Sequence, residues 1–156
     1  GRFPHLNYPR RYSQKDRNIA YAAMERMGIA DAAHKRMASL SGGMRQNVYI
    51  AMALAQDTDY ILLDEPTTYL DIFHQLHLMK TLCALTAGGK GILAVMHDLP
   101  MAFNFSDCIA VLNNGTIVLC DSPKNIHKSG IMKDIFGIEM SYSIEDRSYH
   151  YRYTCP

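Results

Sequence analysis

Tyr60-Ile61-Leu62-Leu63-Asp64-Glu65-Pro66 is the stretch on which the fold turns. An apolar run follows the turn residues Asp57-Thr58-Asp59 and halts at two carboxylates and a proline, which predicts a short strand buried in a parallel sheet. Gly91 to Met96 repeats the pattern and halts at His97-Asp98. Between them an amphipathic segment from Asp71 to Thr86 carries Ile72, Leu76, Met79 and Cys83 on one face, with Gly88-Gly89 as its stop. Strand, helix and strand in this order predict an α/β sheet.

Upstream, the pattern is helical. The opening stretch, with Pro4 and Pro9, reads as extended or turning chain. Asp16 to Met27 places Ile19, Ala22, Ala23 and Met27 at helical spacing before Gly28, and a second short helical piece runs from Ala30 to Met37. Ser41 is placed to cap a further helix from about Met44 to Ala55. Downstream, Leu99 to Phe105 reads as helix, and Cys108 to Leu112, Asn113-Asn114-Gly115 and Thr116 to Cys120 read as strand, turn and strand. The tyrosines Tyr142, Tyr149, Tyr151 and Tyr153, with Arg147 and Arg152, predict a small closing strand or hairpin packed on a core rather than a nucleic-acid stacking surface.

Composition bounds the possibilities. The chain has 156 residues, 48% hydrophobic, with a formal net charge of +1, enough apolar material to offset ordering entropy and no basic surplus for nucleic acid. Its apolar runs are far shorter than the ~20 residues a membrane-crossing helix needs. Cys83, Cys108, Cys120 and Cys155 stand far apart without a C-x-x-C, which suits a reduced, cytosolic setting, in which the Asn104 and Asn114 glycosylation patterns carry no meaning. Gly1-Arg2-Phe3-Pro4 reads as a cut or processed start of something longer. The methionines read as core and gap fillers, and His74 and His77, three apart on one helix, as structural rather than metal-binding residues.

Three features suit phosphate chemistry. Ser41-Gly42-Gly43 opens a helix, where small residues let backbone N–H groups approach an anion and the helix dipole favours negative charge. An ordinary serine cap would look the same. Asp64-Glu65 ends an apolar strand, a place for one carboxylate to hold Mg²⁺ and the next to handle an attacking water, or simply an acidic turn. His97 ends the second strand, where ligands gather in parallel sheets, although a lone histidine is also a common structural residue.

In this order the motifs resemble those of the ATP-binding subunits of ABC transporters. Leu40-Ser41-Gly42-Gly43-Met44-Arg45-Gln46 is similar to the ABC signature, Tyr60 to Pro66 to the Walker B strand, Leu70-Asp71 to the end of the D-loop, and Met96-His97-Asp98 to the switch histidine. The flanks Gly1-Arg2-Phe3-Pro4-His5, Asp71-Ile72-Phe73-His74-Gln75-Leu76 and Ser122-Pro123 through Ile138 are most similar to subunits that energise bacterial import of ferric siderophores, haem or cobalamin.

The resemblance implies a partial P-loop NTPase fold: a helical subdomain over residues 1–56, a partial ATPase core over 57–121 with the Walker B half of the parallel sheet, and a C-terminal tail over 122–156. It further implies ATP and Mg²⁺ as cofactors, a second nucleotide-binding subunit, a transmembrane permease as partner, no nucleic acid, and a cytoplasmic position on the inner face of the membrane. By position, Ser41, Gly42 and Gly43 would donate to the γ-phosphate held by the opposite subunit, Asp64 would bind Mg²⁺, Glu65 would polarise the hydrolytic water, His97 would contact the γ-phosphate, and Asp71 would couple the two sites.

Three departures stand out. Met44 replaces the usual Gln or Glu, and Thr68-Tyr69 replaces smaller residues. No G-x-x-x-x-G-K-[ST] exists: Gly89-Lys90 has Ala84 where the first glycine belongs and Gly91 where Ser or Thr belongs. Lacking that phosphate grip and the Q-loop glutamine, this polypeptide by itself is expected to be weakly stable, oligomeric or rearranged, and without measurable ATPase activity. A non-catalytic interaction module and a soluble ABC-type ATPase are the competing readings.

Overall fold

The computed structural model describes residues 1–153 and divides the chain into two units, Gly1–Val95 and Met96–Pro156. That boundary falls inside the 57–121 segment.

The first unit begins with a 3-10 turn at Phe3–His5 and then α1, Gln14–Arg26. A capping box starts α1: the Ser13 hydroxyl accepts from the Asp16 N–H, and the Asp16 carboxylate accepts from the Ser13 N–H. Arg2 locks the opening segment onto the helices, its Nε lying 3.1 Å from Asp16 Oδ1 and its guanidinium donating to the Ala55 carbonyl at 3.0 Å. The piece from Ala30 to Met37 is not one helix but two 3-10 turns, Ala30–Ala32 and Met37–Ser39. The stretch from Ala30 to Met37 allows only about two helical turns, too few for α-helix nucleation to be favourable. α2, Gly42–Gln56, buries Ile50, Ala51, Leu54 and Ala55, and its Asn47 amide donates to the Met27 carbonyl at the end of α1.

β1, Tyr60–Asp64, and β2, Gly91–Val95, pair in parallel, joined by α3, Ile72–Ala87. The face of α3 that is buried carries Leu78, Met79, Leu82 and Leu85, while Ile72, Leu76 and Cys83 are exposed. Helix α3 has an i, i+4, i+7 apolar row on each of two faces, and packing rather than periodicity selects between them. The opposite side of the ladder is open: Tyr60, Leu62, Leu93 and Val95 are 75%, 74%, 63% and 59% exposed.

Within the second unit, α4 (Leu99–Phe105) leads to the antiparallel pair β3 (Ile109–Asn113) and β4 (Thr116–Asp121), turning at Asn114-Gly115 with both residues at positive φ. α5 (Pro123–Ser129) and α6 (Ile131–Phe136) follow, separated and closed by Gly130 and Gly137 in left-handed conformation. The hairpin β5 (Ile138–Ser143) and β6 (Ser148–Tyr153) completes it. Phe103, Val111, Ile126 and Met132 form the core, with Tyr149 packed against it. The side chain of Asn104 pairs with the Tyr149 backbone in both directions, at 2.7 and 3.1 Å. Among the described residues no helix is long and apolar enough to cross a membrane.

Asp16 supplies a pH test of the first unit. The Ser13 hydroxyl, then the Ser13 N–H and Arg2, hold its carboxyl down to about 2. A depressed carboxyl stabilises the fold above the unfolded value, about 3.9, and loses that effect as pH falls through the folded one. Asp16→Asn is therefore expected to unfold at lower temperature than the parent at neutral pH, the gap closing as acid titrates the parent toward pH 2. Thermal melts across that range read the gap, and one that stays constant would reject the capping role.

Candidate functional site

At the carboxyl end of β1 the ladder extends one residue, the Glu65 N–H donating to the Val95 carbonyl at 3.0 Å. Glu65 then turns the chain at φ 43, a left-handed conformation that costs a non-glycine residue roughly 1–3 kcal/mol. The turn is held from below by Pro66 and Thr67, both buried. It is closed from above by Thr68, whose N–H donates to the Glu65 carbonyl and whose hydroxyl donates to Glu65 Oε2, each at 3.1 Å. Asp64 and Glu65 are both exposed, so two consecutive carboxylates meet solvent at the strand end.

Ser41 caps α2, its hydroxyl oxygen accepting from the Met44 N–H at 3.2 Å. The N-terminal N–H groups of this 15-residue helix have no intrahelical acceptors and lie at the positive end of its dipole. Both signature glycines adjoin the segment after the acidic turn. A Cβ at Gly42 would meet Tyr69 Cβ at ordinary contact, 3.6 Å, whereas one at Gly43 would come within 3.1 Å of the Tyr69 carbonyl oxygen. That carbonyl cannot easily yield. Tyr69 is itself at φ 70, the Leu70 N–H donates to the Thr67 carbonyl, and the Gln75 amide donates to the Thr67 and Leu70 carbonyls at 3.3 and 3.1 Å. Gly43→Ala is therefore expected to destabilise the unit by roughly 1 kcal/mol despite alanine's better helix propensity, while Gly42→Ala is neutral or stabilising. Urea melts of the two variants distinguish these outcomes, and equal midpoints would refute the tight approach.

Asp71 caps α3, its Oδ1 accepting from the His74 N–H at 3.0 Å and meeting His74 Nδ1 at 2.8 Å. Those two contacts, the backbone one first, hold its carboxyl below the ordinary range. His74 is thus engaged locally, and His77 Nε2 lies 3.0 Å from the Arg26 carbonyl. His97 is exposed at the start of the second unit, and the next residue, Asp98, caps α4 by accepting from the Met101 N–H at 2.9 Å.

Gly89-Lys90 is not positioned as a phosphate grip. The Lys90 ammonium donates to Asp57 and to the Thr58 carbonyl at the opening end of the β1–β2 ladder, opposite to the end that carries Asp64 and Glu65.

The first unit thus brings the glycine-opened helix, the Thr68-Tyr69-Leu70 turn and the acidic strand end into one connected arrangement. Its oxygen donors suit Mg²⁺, which is commonly held through one or two carboxylates together with substrate phosphates. The glycine N-terminus suits a phosphate oxygen. Sequence reasoning missed the braces: Thr68 on the Glu65 carboxylate, Gln75 on the turn, and Gln46, whose amide donates to the Pro66 carbonyl at 3.3 Å. For Gln46 and Gln75 the only sequence signal is a polar side chain within a helix, and Thr68 gives none.

Known proteins are similar to this chain in sequence and in fold. The sequence model for the ABC transporter family matches residues 2–68. The iron(3+)-hydroxamate import ATP-binding protein FhuC of Bacillus subtilis (strain 168) is 42% identical over 149 residues, covering 95% of this chain and 55% of that protein. The ATP-binding subunits of ABC transporters are what this chain is similar to. Its fold matches that of an ABC transporter in an inward-facing conformation with a TM-score of 0.82 at 25% identity, over 97% of this chain and 62% of the other. It also matches the dimeric structure of a bacterial ABC transporter cassette with a TM-score of 0.67 at 30% identity, over 72% of this chain and 50% of the other. The chain spans about half the length of the curated relative it matches.

The α/β reading holds, with helices preceding a parallel β1–β2 pair that ends in the acidic doublet.

Proposed function

We propose that this chain is the hydrolytic and trans-acting part of the ATP-hydrolysing subunit of an ABC importer for a ferric siderophore or a related metal chelate. The observation that supports it most is the packing of the Ser41-Gly42-Gly43 helix start against the Tyr69-Leu70 turn that directly follows the Asp64-Glu65 strand end. Helix start and carboxylates are braced by the same short segment, as a site that must sense one phosphate and hydrolyse another requires.

In this reading the Ser41 hydroxyl, its oxygen engaged by Met44, directs its proton outward, and with the Gly42 and Gly43 N–H groups it donates to the γ-phosphate held by a second nucleotide-binding subunit. Asp64 would hold Mg²⁺, which would supply charge neutralisation when bound. Glu65, fixed by Thr68, accepts a hydrogen bond from the attacking water and aligns it. His97 donates to the γ-phosphate, and Asp71 relays between the two sites. Closure of the paired subunits excludes water from the reacting phosphate.

Residues 1–56 form the helical subdomain that meets a membrane permease near Gly1 to Arg11, residues 57–121 the catalytic core and 122–156 its tail. The working position is the cytoplasmic face of the membrane, reached through the permease. The chain alone lacks the phosphate grip and is inactive.

Co-refolding with a Walker A half taken from the Bacillus subtilis relative tests this. Mg-ATP hydrolysis is expected only in the mixture and is expected to disappear on Ser41→Arg. Micromolar binding of Mg-ATP by the chain alone, or failure of the mixture to hydrolyse despite forming a stable complex, would overturn the proposal.

A further inference from the structure

The hairpin of the second unit brings together two cysteines that are distant in sequence. Cys108 Sγ and Cys120 Sγ lie 3.6 Å apart, and both residues are exposed. The register explains the meeting. Cys120 pairs with Ala110, two residues from Cys108, so both thiols stand on the same side of the β3–β4 ribbon. Cys108 precedes the first strand residue, Ile109, and is not tied into the ladder. A disulfide needs the sulfurs at about 2.05 Å, a closure of roughly 1.5 Å that side-chain rotation supplies.

We propose that Cys108 and Cys120 form a modification site, a dithiol that a hydroperoxide closes into a disulfide across the base of this hairpin. The reaction balances with hydrogen peroxide as oxidant. One thiol, as its thiolate, attacks a peroxide oxygen, breaking the O–O bond to give a sulfenic acid and one water. The second sulfur then displaces the sulfenic oxygen as another water, forming the S–S bond. Two thiols are oxidised, one peroxide is reduced, and both thiol protons leave in water.

The hydrogen bond to Cys120, then desolvation and nearby negative charge, push the Cys108 thiol up. Closure accordingly quickens as pH rises. The bond would pin the chain leaving α4 to the end of β4, next to Asp121. That carboxylate accepts from the Ser122 N–H and from the Asn125 amide at the start of α5. One covalent link thus couples the exit of α4, the hairpin and the start of α5.

The test uses the whole reduced chain treated with hydrogen peroxide and digested without reduction by chymotrypsin, which cuts between the two cysteines at Leu112 and Leu119. The expected product is a Cys108–Cys120 linked peptide, lighter by two hydrogens than its separate parts and released by dithiothreitol. It should form unchanged in Cys83→Ser, and the oxidised chain should melt at least about 4 °C higher. Linkage of either cysteine to Cys83 or Cys155, disulfide dimers as the main product, or sulfinic acid at both positions without a link would overturn the proposal. The mapping needs no variant, so a cysteine substitution that fails to fold does not block it.

Discussion

Replacing Glu65 by glutamine is expected to lower ATP turnover of the assembled ATPase by about 10²–10⁴-fold while leaving nucleotide affinity nearly unchanged. Glutamine keeps the size and the acceptor oxygen that Thr68 reaches at 3.1 Å, so the φ 43 turn and its closing hydrogen bond survive. What is lost is the negative charge that, in the proposed reaction, draws a proton of the attacking water. Thr68→Ala provides the gradation: with the carboxylate intact but unbraced, turnover should fall by a smaller factor than in Glu65→Gln. Single-turnover hydrolysis and nucleotide binding in the mixture with a Walker A half separate the two effects. Turnover within a few-fold of the parent in Glu65→Gln would remove this residue from the reaction.

Phe103→Ala is expected to cost the second unit about 3–5 kcal/mol, because Phe103 is 2% exposed and fills the middle of the cluster with Val111, Ile126 and Met132. Its ring centroid lies 5.3 Å from that of Tyr149, so the truncation also removes an aromatic pair that anchors β6. For a unit of this size the loss is comparable to its whole stability, and hydrogen exchange across β3 to β6 should rise to nearly unprotected values. Ile144→Ala, at a side chain 84% exposed, should stay within about 0.5 kcal/mol of the parent. Similar protection in the two variants would show that the cluster is not the centre of this unit.

Much of this was legible in the sequence, for physical reasons that differ by element. The strand at Tyr60 to Asp64 was readable because an apolar run bounded by turn residues and a proline has few alternatives. The hairpin at Asn114-Gly115 was readable because few other pairs accept two positive φ angles. The buried face of α3 was not, since Leu78, Leu82 and Leu85 compete with Ile72, Leu76 and Cys83 at the same spacing. Nor was the left-handed turn at Glu65, because glutamate gives no local signal for positive φ and the strain is imposed by Pro66, Thr67 and Thr68 around it. The Cys108–Cys120 approach was hidden by a register shift between Val111 and Leu112, which moves every pair beyond it one step from the simple count outward from the turn.

The open side of the β1–β2 ladder, formed by Tyr60, Leu62, Leu93 and Val95, bears on how this chain behaves when it is expressed by itself. Contiguous apolar side chains beside unpaired strand edges are what holdase chaperones and quality-control proteases engage. When this chain is expressed by itself, a substitution such as Leu62→Lys, which places a charge on that side, should therefore raise its soluble yield.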